Sequence, residues 1–81
     1  MSLDPQYTLE RMGDLLREER KQRGESQEIF ASRLGVHRST LSRMEKGHSE
    51  VRIEAWVRAF RQMKIDLNVL QLMTRDTDLE A

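Results

Sequence analysis

The chain has no cysteine, and its 81 residues include one proline, one tryptophan, one tyrosine and four glycines. Without cysteine there is no disulfide, no thiolate nucleophile and no Cys-ligated zinc, so stability rests on a small apolar core. A core of this size supplies about 3–5 kcal/mol unless a partner subunit adds burial. Long apolar runs are missing too. None approaches the roughly 20 residues that a bilayer span requires, and the N-terminus lacks the charged-then-apolar order of a secretory signal. A cytoplasmic protein with no membrane contact is expected. The length admits one domain and excludes a two-domain enzyme. There is no glycine-rich phosphate loop and no His-Glu-x-x-His motif, and His37 has only the distant His48 as a companion. No catalysis, cofactor or metal is therefore expected.

Charge of one sign is also lacking, since 14 basic residues balance 14 acidic ones. This argues against recognition of nucleic acid by bulk basicity. The distribution is uneven, however: residues 33–48 carry +3 and residues 49–64 carry +2, whereas 24–32 carry −2 and 65–81 carry −3. A charged window is ordinarily a solvated face, so its meaning depends on how the charges are spaced.

Apolar periodicity and glycine punctuation divide the chain into helices. Residues 1–7, with Pro5, have no periodicity and read as a flexible leader. Thr8 can cap a first helix over about 9–23, with Leu9, Met12 and Leu16 inward, Leu15 beside them and Gly24 at its end. Gly13 falls inside that helix at a cost of about 1 kcal/mol against Ala, which close packing by a neighbouring helix would offset. Ser26 can cap a second helix that carries Phe30, Ala31 and Leu34 and stops at Gly35. A third spans about Arg38 to Lys46, and a fourth, over about 52–63, places Ile53, Trp56, Val57, Phe60 and Met63 at the i, i+3, i+4, i+7 positions. Ile65 to Met73 fits a strand through Ile65, Leu67 and Val69, or a helix through Leu67, Leu70 and Met73 capped by Asp66; the helix is adopted here. The domain thus runs from 8 to 73, with an acidic, frayed tail over 74–81.

Two short helices joined by a glycine turn outline a helix-turn-helix over about 27–46, although an α-hairpin in any small bundle looks similar. The third helix separates them. At about 100° per residue, Leu41, Met44 and Glu45 share its inner side, and Ser39, Ser42, Arg43 and Lys46 its outer side. Hydroxyls between basic groups suit a major groove, where Arg forks onto guanine O6 and N7. A merely solubilising face would more often alternate Glu with Lys, yet the one acid here, Glu45, points inward.

The run from Gln27 through Ala31, Gly35-Val36 and Leu41 to Glu45-Lys46-Gly47 resembles the helix-turn-helix of the lambda-repressor-like, Cro/CI-type transcriptional regulators, the XRE family. Glutamine heads helix two, alanine lies on its inner face, Gly-Val forms the turn, and an aliphatic residue and Glu-x-Gly follow in helix three. The likeness extends from about Met12 to Leu70. It implies an all-α, compact four- to five-helix DNA-binding domain. It departs at His37 and Arg52, where a Ser or Thr cap is usual, and at Ile29, which is usually polar. By resemblance, Arg38, Ser39 and Arg43 read bases in double-stranded DNA. Gln27 anchors a phosphate, and Arg33, His37, Thr40, Ser42 and Lys46 flank it. Arg20 and Glu45 form an inward ion pair.

The C-terminal surplus of Leu67, Leu70, Leu72 and Met73 exceeds what one small core covers and reads as a homodimer interface. The function expected is a sequence-specific regulator, most simply a repressor that binds a palindromic operator as a homodimer. The alternative is an antitoxin, or another protein-interaction module, built on the same domain with a toxin as partner.

Overall fold

Asp4 and Pro5 start the first helix. A computed structural model of the chain describes residues 4–64. In it the Asp4 side chain accepts from the Gln6 N–H at 3.0 Å, and Pro5 takes the first helical position, where its missing N–H costs nothing. The helix α1 (Pro5–Gln22) therefore begins ahead of Thr8. Of the expected leader, Pro5 to Tyr7 are helical. An Asp-Pro start is a capping signal that apolar periodicity does not register, because Pro5, Gln6 and the exposed Tyr7 face solvent.

The remaining elements are α2 (Gln27–Leu34), α3 (Arg38–Glu45) and α4 (Ile53–Met63), with no strand among the described residues. Ser26 caps α2 by accepting from the Ile29 N–H at 3.2 Å. Gly35 ends it at φ 76°, where an L side chain would be strained, and the N–H groups of Gly35 and Val36 close on the Ser32 and Ala31 carbonyls. His37 stands at the N-cap of α3 without a side-chain capping bond, as does Arg52 before α4.

Phe30, Leu16, Leu41 and Met44 are fully enclosed, one or two from each of the first three helices. Helix α1 packs mainly on α3, and α2 bridges α3 and α4. Arg23 ties the far ends together: its Nη2 donates to the Gln62 carbonyl at 3.0 Å, its Nε to Glu19 at 2.8 Å, and its guanidinium lies 5.6 Å from the Phe30 ring centroid.

The inner face of α4 differs from the one its large apolar residues suggest. Ala55, Trp56, Ala59 and Met63 are buried, Val57 and Phe60 are half-buried, and Ile53 is 75% exposed. The face is turned by roughly a quarter of a circle because two alanines, too small to dominate a periodicity count, let the α4 backbone approach the core. Leu15 likewise faces outward, at 50% exposure. No helix among the described residues is long and apolar enough to cross a membrane. The fifth segment, Ile65 to Met73, lies outside the described residues, and with it the expected interface of Leu67, Leu70, Leu72 and Met73; so does the 74–81 tail.

Candidate nucleic-acid interface

The orientation of α3 is set by its buried side. Leu41 and Met44 enter the core, and Glu45 follows them inward with a side chain 4% exposed. A carboxylate so far from water needs a cation and further donors, and it has both. Arg20 on α1 meets it with two prongs, Nε to Oε2 at 2.8 Å and Nη2 to Oε1 at 3.1 Å. The third guanidinium nitrogen of Arg20 donates to the Glu25 carbonyl at 3.1 Å. The hydrogen bonds from Glu45 favour the charged guanidinium and raise the Arg20 pKa from its ordinary value, against a smaller opposing effect of burial. α3 is thus fixed to α1 at its C-terminal end.

The network contains a member that sequence reasoning missed. Gln27 Nε2 donates to Glu45 Oε1 at 3.1 Å. A side-chain amide carries two N–H donors and a carbonyl oxygen, so this bond leaves one N–H and the oxygen for another partner while fixing where they point. The ion pair and the expected phosphate clamp are therefore one assembly. Both residues were visible in the sequence; their junction was not, because it depends on how α1, α2 and α3 converge.

Facing outward, Arg38, Ser39, Arg43 and Lys46 are exposed, with Thr40 and Ser42 half-buried at the flanks. Among the described residues Arg38, Arg43 and Lys46 have no ion-pair partner. The structure sorts the expected contact residues into two hollows. Gln27, Ser42 and Lys46 line one, together with Arg17, Arg20 and Lys21 from α1. His37, Thr40 and Arg43 line the other, against the start of α4, where Arg52 and Arg58 are accompanied by Glu50 and Glu54. Ser39 rises between them by helical phase. Arg38 and Arg33 line neither, and Arg33 is bonded through Nε to Glu25, on the α1–α2 turn. The cations Arg17 and Lys21 escaped the motif because they precede it, though their i, i+4 spacing on α1 was legible.

An exposed helix with short hydroxyls on its outer face, arginines there that are unpaired among the described residues, and an ion pair behind its far end is the arrangement a recognition helix requires. The family model described as Helix-turn-helix matches residues 16–70. The chain belongs to this family. It is a Cro/CI-type, XRE helix-turn-helix domain, and its class is that of DNA-binding regulators, not of an enzyme family. Searches of curated proteins and of solved structures return no match. Within the XRE domain, the Arg20, Glu45 and Gln27 assembly joins α1, α2 and α3.

Proposed function

We propose that the domain is a sequence-specific transcriptional repressor that binds a palindromic operator as a homodimer and acts by occupying promoter DNA. The observation that carries this reading is the outer face of α3: Arg38, Ser39 and Arg43 exposed, the arginines without ion-pair partners among the described residues, on a helix whose inner face is buried and tied to α1. Arg38, Ser39 and Arg43 read base edges. Gln27, Ser42 and Lys46 hold phosphate, with His37 and Thr40 at the rim of the second hollow. Arg33, engaged by Glu25, has the weakest claim to a phosphate.

A selection from randomised duplexes should recover a site with guanine in each half. On that site Arg43→Ala is expected to cost about 1–3 kcal/mol and to relax preference at one base pair. Gln27→Ala should weaken selected and random duplexes alike, because phosphate contacts position without specifying. Equal losses on both duplexes for Arg43→Ala would remove it from the base-reading set. Recovery of no site, with a toxin bound instead, would favour the antitoxin alternative.

Half-sites on one face of the duplex lie about 34–36 Å apart, so each recognition helix reaches its groove only if a two-fold contact sets that distance. We assign the contact to Leu67, Leu70, Leu72 and Met73, because α3 is committed to DNA and the buried face of α4 to the core. Leu70→Glu should sediment as a folded monomer with weak operator binding. A persistent dimer would place the interface elsewhere, with the half-exposed Ile29 the next surface to alter.

A further inference from the structure

We propose that α1 is itself part of the DNA-binding surface, with Arg17 and Lys21 holding a backbone phosphate beside the one assigned to Gln27. The proposal rests on the DNA-binding reading above and extends it to a helix outside the helix-turn-helix.

Three helices wall the groove that carries it. Arg17 and Lys21 come from α1, Gln27 from the start of α2, and Ser42 and Lys46 from the outer side of α3. Among the described residues the groove is lined by one acid, Glu45, and its two carboxylate oxygens are already engaged by Arg20 and Gln27. The floor is therefore internally neutralised, and the rim is not. Among the described residues Arg17, Lys21 and Lys46 form no ion pair, and all three are exposed. Glu18, the acid next to Arg17 in sequence, does not line this groove; it lines an adjoining hollow with Gln22, of which Arg17 and Lys21 form the shared wall.

Like charges at i, i+4 on a helix repel. Arg17 and Lys21 are such a pair, and Lys46 adds a third cation to the same hollow. Asp14 and Glu18 stand three positions before Arg17 and Lys21, but neither forms an ion pair with them among the described residues. The repulsion inside the groove is therefore not cancelled by a direct bond, and a polyanion turns it into attraction. The groove also holds the amide that Glu45 orients, so a strand whose phosphate meets Gln27 passes along the α1 rim. Lys46 closes the groove from the recognition helix, which places the α1 contact in register with base reading.

The test is a salt titration of affinity for a short mixed-sequence duplex, read by fluorescence anisotropy. It compares the unmutated protein, Arg17→Gln/Lys21→Gln, and a charge-matched control, Arg11→Gln/Arg61→Gln, whose exposed positions do not line the groove. Circular dichroism verifies that each variant retains its helices. The groove variant should show a log K against log salt slope shallower by about 0.9 or more, the loss of at least one neutralised phosphate. Its base preference on the selected site should be unchanged, the control should keep the original slope, and the charge-retaining Arg17→Lys/Lys21→Arg should keep it as well. An unchanged slope in the groove variant, or an equal loss in the control, overturns the proposal. Failure of the unmutated protein to bind any duplex at low salt is a different result: it removes the DNA-binding reading itself, and the α1 contact with it.

Discussion

Arg20→Ala is expected to destabilise the domain by about 3–5 kcal/mol, because it strands the Glu45 carboxylate in the core without its cation. A single small core supplies about that much in total, so the variant should be largely unfolded at room temperature. The partner side chains are 14% and 4% exposed, so little water is present to screen the loss. Removing both charges is a separate experiment. Arg20→Met/Glu45→Leu replaces the pair with apolar volume, and such replacements are often neutral or stabilising by about 1–4 kcal/mol. The double variant should therefore fold at least as well as the original chain in a urea titration. It should still bind DNA weakly, because Gln27 no longer has the Glu45 oxygen that fixes its amide. Loss on selected and random duplexes alike would mark the defect as one of positioning. If Arg20→Ala unfolds within about 1 kcal/mol of the original midpoint energy, the pair belongs with those that contribute little. If the double variant binds as tightly as the original chain, Glu45 does not orient the clamp.

Much of this assembly was legible in the sequence, and the residues that were not share a cause. The phase of α3 followed from helical spacing alone, since Leu41, Met44 and Glu45 occupy one side and are the buried residues. The ends of α2 followed from Ser26 and Gly35, because capping and left-handed backbone are local chemistry. By contrast, the inward face of α4 rests on Ala55 and Ala59, whose importance arises from what packs over them. The early start of α1 was missed because polar Asp4 and Gln6 give no periodic signal; Gln6 instead donates to the Gly47 carbonyl at 2.8 Å, 41 positions along the chain. The groove that gathers Arg17, Lys21, Gln27 and Lys46 is of the same kind. Its members are separated by up to 29 positions in the sequence, and only the crossing of α1 over α3 brings them together.

That crossing depends on Gly13, and Gly13→Val is expected to cost about 3 kcal/mol or more, at the upper end of overpacking losses. A Cβ on this residue would lie 2.5 Å from the Met44 carbonyl oxygen and 2.7 Å from that of Glu45. Both are backbone atoms at the end of α3, so no side chain can swing aside; α1 or α3 must move as a unit. Two effects compete when the glycine is replaced. Alanine regains about 1 kcal/mol of helix propensity, and overpacking takes about 1–3 kcal/mol, so Gly13→Ala should lose up to about 2 kcal/mol. Valine regains less propensity, because it is stiff at χ1, and inserts two further carbons into the same gap. The displacement also separates Arg20, about two turns along α1, from Glu45, so DNA affinity should fall with stability. Urea titrations of the original chain and the two variants should place the midpoints in the order Gly, Ala, Val, from most to least stable. A more stable Gly13→Ala would mean that the helices part without cost and that close approach at residue 13 does not hold α3 in place.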